Sequence, residues 1–135
     1  MLEGNYLSNN DSDEQEINHM ANQNHLELLK QGKAAWNTWR QGHPHIRPDL
    51  SRARLRGVHL EGSDLNEANL LEADLSGANF TGATLVRANL SGADLTMACF
   101  RDADLREANL SGADMRLATF DGTNLSGANL TGTKK

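Results

Sequence analysis

The sequence predicts an all-β solenoid, a four-sided coil stacked about four turns high and closed at its start by an α-helix. Three observations lead there. From Leu50 to Leu130 a large apolar residue recurs every fifth position without a slip, as in SGANFTGATLVRANLSGADL, where Phe80, Leu85, Leu90 and Leu95 are five apart. Phe80, Phe100 and Phe120 recur at twenty residues. Glu67, Arg87 and Glu107, also twenty apart, would alternate in sign along one column.

The period of five decides the shape. On an α-helix each step of five turns about 140°, so the leucines would spiral around the whole surface. On one continuous strand they would alternate between faces. Neither arrangement buries them. If each five-residue unit is instead one side of a polygon with a corner at its end, all seventeen central residues can point inward. So can the small residue two places earlier, which is alanine in thirteen of the seventeen units, with Pro48, Val58, Ser63 and Thr123 as exceptions. Glycine two places after the centre, as at Gly77, Gly82, Gly92 and Gly112, suits a tight corner. The twenty-residue recurrences equal four units. A square coil would therefore stack the three phenylalanine rings and set Glu67, Arg87 and Glu107 about 4.8 Å apart, the spacing of neighbouring strands.

Two zones precede the tower, which is assigned to residues 46–135. Residues 1–20 carry five acids, no lysine or arginine and little apolar surface, so disorder is expected there, and Met1 or Met20 could be the start. Residues 21–45 are expected to form one amphipathic capping helix. Asn24 and Glu27 have capping-box spacing, Gly42 sits at a C-cap and Pro44 stops continuation. Leu28, Leu29, Gly32, Ala35, Trp36 and Trp39 share one stripe. A solenoid's first coil exposes its apolar lumen, and Leu28, Leu29, Ala35, Trp36 and Trp39 are expected to lie over it. The other end, GANLTGTKK, offers no comparable cover, so Leu125 and Leu130 are expected to meet a second copy in a homodimer.

Units such as ADLSG (73–77) and ANLSG (88–92) resemble the pentapeptide repeat family over Leu50 to Leu130. The resemblance implies a right-handed quadrilateral parallel β-helix. The segment LLKQGKAAWNTWRQGHPHIRPDL also resembles the lead-in before such repeats in many bacterial, often cyanobacterial, members. Some family members mimic DNA and bind DNA gyrase, conferring quinolone resistance, which is the alternative function the resemblance implies.

Chemistry is sparse. The net charge of −5 disfavours direct nucleic-acid binding, which needs a basic face. Cys99 is the single cysteine, which suits a reducing compartment, and no run approaches a membrane span, so a cytoplasmic protein is expected. The Ala, Leu and Phe interior leaves no room for a catalytic residue or a cofactor. Asp74, Asp94 and Asp114 share a column that could hold a hard cation or stand as a solvated acidic ladder near Arg54 and Arg116. His43, His45 and His59 lack a paired motif for metal, and Cys99 lacks a histidine at its level. No metal site is assigned.

What remains is a pair of apolar residues on the outside. Met97 and Leu117 share one corner column and form a candidate partner patch. The expected function is a non-enzymatic scaffold presenting the outer faces of a rigid post to a protein partner. DNA mimicry fits less well: residues 49–135 hold twelve acids and nine bases, a net of 9 − 12 = −3, whereas about 20 Å of B-DNA carries roughly 12 phosphates.

Overall fold

The structure, a computed structural model, describes residues 21–135, so the expected disorder of residues 1–20 lies outside the described residues. From Asp49 onward the chain is a solenoid whose fourteen parallel bridges all join residue n to residue n+20, from Asp49–Asn69 to Asp114–Lys134. A coil therefore holds twenty residues, and bridges at every fifth residue give it four sides. The ladder is regular. The Leu50 N–H donates to the Asn69 carbonyl at 2.8 Å, and the Asn69 N–H donates to the Pro48 carbonyl at 2.8 Å.

Corners explain why the period is five. After each centre the chain closes a turn, as where the Ala53 N–H donates to the Leu50 carbonyl. The second residue of every turn has positive φ, from Arg52 at 58° to Gly132 at 71°, which makes the corners type II. Each turn consumes two of the five residues. One bridging residue per side remains, so among the described residues the sides are single bridges and not the extended strands that an all-β fold suggests. Where an Asp or Asn precedes the centre it braces its own corner: Asp94 accepts the Thr96 N–H at 3.0 Å, and Asn89 and Asn109 accept those of Ser91 and Ser111. That bond accounts for the recurring acid or amide.

Inside, the leucines and alanines are close to fully buried from Leu60 to Ala113. Phe80 and Phe100 stack with ring centres 4.7 Å apart and planes 2° apart; Phe100 and Phe120 follow at 5.2 Å and 6°. The lumen opens in the last coil, where Phe120, Leu125 and Leu130 are only half-buried.

The lead-in differs from expectation. It is not one helix but two, α1 (Gln23–Lys30) and α2 (Lys33–Gly42), broken at Gly32, whose φ of 106° ends any α-helix. A straight helix over 24–42 would run about 28 Å; the break at Gly32 instead lets α1 and α2 pack against each other. The cap of α1 is Asn22, which accepts the His25 N–H at 3.1 Å, so Asn24 and Glu27 form no capping box. Gly42 is the last helical residue and His43 the cap.

Candidate functional site

Two surfaces bear on function: the junction of the helices with the first coil, and the outer columns. At the junction Trp36 is fully buried and its indole N–H donates to the Asp64 carbonyl at 2.7 Å. Leu29 is buried, while Leu28, Ala35 and Trp39 are half-buried. Trp39 packs between three rings, those of His25 (4.9 Å), Trp36 (5.3 Å) and His43 (5.2 Å).

Polar side chains of the helices replace a missing coil. Asn37 donates to the Gly62 carbonyl and accepts the Asp64 N–H, and His25 Nδ1 accepts the Asp49 N–H at 2.9 Å. Buried Arg40 donates to the carbonyls of Ile46 and Asn66, and Arg47 to that of Glu67. Burial pushes the His25 imidazole below its ordinary value. Sequence reasoning missed His25, Asn37 and Arg40, because a side chain that answers a distant backbone group leaves no periodic signal.

On the outer columns, Met97 and Leu117 stand where expected, at one corner of adjacent coils. They are 60% and 80% exposed, the largest exposures among the big apolar side chains described. Both have left-handed backbone, φ 60° and 64°, while the same corner in the coils before them is Gly57 and Gly77. The column of Asp74, Asp94 and Asp114 lies on the side leading into that corner, with bridges Asp74–Asp94 and Asp94–Asp114. Arg56 approaches Asp74 at 3.6 Å, and Arg116 forks onto Asp114 at 2.9 and 2.6 Å. That guanidinium holds the Asp114 carboxyl below the usual carboxylate range. Asp94 is bonded by the Thr96 N–H and hydroxyl, at 3.0 and 2.7 Å.

The remaining sequence candidates stay apart. Glu67, Arg87 and Glu107 form the alternating ladder, Arg87 lying 3.5 and 3.1 Å from its two neighbours. Cys99 is half-buried beside the Thr81 hydroxyl at 3.4 Å, which with the Arg101 N–H lowers its thiol below the ordinary range. His59 faces Glu61, and His43 stacks on Trp39. Among the described residues no group of three His, Cys, Asp or Glu side chains is placed to hold a metal ion. No helix described is long and apolar enough to cross a membrane.

The stretch that forms the twenty-residue coils is matched by a family model. Pentapeptide repeats, in eight copies, match residues 49–85, 73–106 and 98–134. The chain belongs to the pentapeptide repeat family. Among solved structures, this pentapeptide repeat protein is similar to HetL, a pentapeptide repeat protein involved in heterocyst differentiation regulation from the cyanobacterium Nostoc sp. strain PCC 7120. The two are 38% identical over 63% of this chain and 40% of HetL, with a TM-score of 0.60. It is also similar to alr5209, a pentapeptide repeat protein from Nostoc PCC 7120, at 41% identity over 64% of this chain and 71% of that one, TM-score 0.58. The chain thus spans less than half the length of HetL. A search of curated proteins gives no match.

Proposed function

We propose that this pentapeptide repeat protein is a non-enzymatic cytoplasmic scaffold that offers the outer faces of a right-handed tower to a protein partner, with Met97 and Leu117 at the contact. The handedness rests on family membership, and the cytoplasmic setting on the single cysteine and the composition. Absence of catalysis rests on a lumen filled with Ala, Leu and Phe. One observation carries the contact: two large apolar side chains are held in solvent, in a backbone conformation that costs an L-residue about 1–2 kcal/mol, at a corner that is otherwise glycine. Asp94 on the same side favours a partner that sets a basic residue beside an apolar one. DNA mimicry is disfavoured because Arg56, Arg87, Arg101, Arg106 and Arg116 each pair with a carboxylate and break any run of negative charge. Self-association through the half-open last coil belongs to the same reading.

The test compares the full chain with a Met97→Asp, Leu117→Asp variant as baits in native lysate, after circular dichroism shows equal folding. A partner retained by the first and lost by the second is expected. Identical captures by both baits would remove this corner from the contact.

A further inference from the structure

Between the end of α2 and the side of the tower lies a cleft of about 460 Å³, a volume in the range that holds small ligands. Arg40, Gln41 and Pro44 form one wall. Asn66, Val86 and Arg106, one corner column of three successive coils, form the other. Neither the capping of the lumen nor the Met97 and Leu117 corner uses this space.

Its most enclosed lining residue has an unmet donor. Arg40 is 6% exposed, and its two terminal nitrogens donate to the Ile46 and Asn66 carbonyls at 2.7 and 2.9 Å, which holds the guanidinium in place. Its Nε is buried and makes no hydrogen bond among the described residues. Buried N–H groups are seldom left so. Asp64, which also lines the cleft, brings Oδ1 to 3.8 Å from that Nε, beyond hydrogen-bond length. An oxygen set beside the pair can lie within hydrogen-bond length of both. It must then accept from Nε and donate to the carboxylate. A hydroxyl does both, whereas an ionised carboxylate or phosphate has no proton to donate and an ammonium has no lone pair to accept with.

The rest of the lining selects in the same direction. Arg40 faces Asp64, Arg87 lies 3.5 Å from Glu67 and Arg106 forks onto Asp104 at 2.7 Å, so each cation has its own carboxylate and the cleft draws neither anions nor cations. Asn66 uses its Oδ1 to accept the Val86 N–H at 2.8 Å, which leaves its amide N–H groups to donate. Val86 and Pro44 add apolar surface against which the C–H face of a ring can lie. We propose that this cleft is a binding site for a neutral, hydroxyl-rich small molecule of the sugar class, with one hydroxyl bridging Arg40 Nε and the Asp64 carboxylate. Because Arg40 and Asn66 are already fixed by bonds to the backbone, the site is preformed and little ordering opposes binding.

Titration of the full chain with glucose, sucrose and maltose, followed by nitrogen–proton NMR of the arginine Nε groups, tests the assignment. The Arg40 resonance is expected to move saturably with at least one of the three. Asp64→Asn keeps the oxygen that braces its corner but removes the charge, and is expected to weaken that binding about tenfold. Val86→Trp fills the cleft from the tower side without touching the bonds of Arg40, and is expected to abolish saturation while the dichroism spectrum stays that of the native chain. Native affinity in both variants would put the sugar elsewhere and overturn the site. Saturation by sodium acetate or inorganic phosphate would overturn the hydroxyl reading. A shift that stays linear for every sugar up to about 100 mM would leave Arg40 Nε to water alone and refute the proposal.

Discussion

At the scale of single residues, the corners separate two uses of the same strained backbone. Arg52, Glu67, Glu72, Arg87, Met97, Asp102, Glu107 and Leu117 all hold positive φ without being glycine. Arg52 with Glu72, and Arg87 with Glu67 and Glu107, recover part of that strain through ion pairs along a column. Met97 and Leu117 have no such return, since their side chains project into water. Replacing either by glycine relieves a strain of about 1 kcal/mol. For a domain of this size that raises the melting temperature by roughly 4 °C per site. The Met97→Gly, Leu117→Gly chain is therefore expected to melt higher in a thermal scan while binding its partner less tightly. A lower melting temperature would show that the two side chains stabilise the tower itself, contrary to the proposed contact. The sequence showed which residues occupy this corner; it did not show their backbone strain, because Met and Leu are rare in left-handed conformation and only the shared five-residue register puts them there.

At the scale of elements, the helices close the tower through hydrogen bonds as much as through apolar contact. Trp36 contributes both, an enclosed ring and an indole N–H on the Asp64 carbonyl. Trp36→Phe keeps most of the ring and leaves that carbonyl unanswered, for about 1–3 kcal/mol. Trp36→Asp puts a charge against the lumen and is expected to cost more, with a sharply lowered melting temperature; a transition unchanged from that of the native chain would remove the helix from the cap. His25 adds a pH dependence. Its folded pKa lies below the ordinary 6.5 because burial disfavours the cation, Asp49 opposing and Arg40 adding to the shift. The unfolded chain thus binds the proton more readily. The contribution of His25 is complete above pH 6.5 and is lost as pH falls through the lower folded value, where protonated Nδ1 can no longer accept the Asp49 N–H. Melting temperature should fall on acidification below about pH 6.5, and His25→Asn, which keeps an acceptor near Nδ1, should flatten that slope. The sequence made the Trp36 and Trp39 stripe readable through its helical period, but joined two helices into one because Gly32 lies on the same stripe. Only the bend at Gly32 brings Leu29 and Trp36 over the same opening.

At the scale of the whole molecule the two ends are unlike, and the difference predicts behaviour in solution. The stacked phenylalanines record it: Phe80 and Phe100 are fully enclosed, whereas Phe120 is half-open with Leu125 and Leu130 beside it. Among the described residues the Phe120, Leu125 and Leu130 N–H groups meet no further coil, so the end presents an apolar patch framed by unpaired ladder groups. A two-fold axis through this end would set each such group opposite one on the second copy and cover both lumens, the isologous contact most homodimers use. The last coil carries Arg116, Asp121, Lys134 and Lys135, a net positive set whose repulsion across the axis opposes the contact. Salt screens that repulsion and leaves the apolar contribution in place. Sedimentation of the full chain should therefore show a monomer–dimer equilibrium that shifts toward dimer as concentration or ionic strength rises. Leu125→Asp should return it to monomer with the dichroism spectrum of the tower retained. A single monomeric boundary at high micromolar concentration and high salt would show that the half-open coil is left to solvent or to another partner.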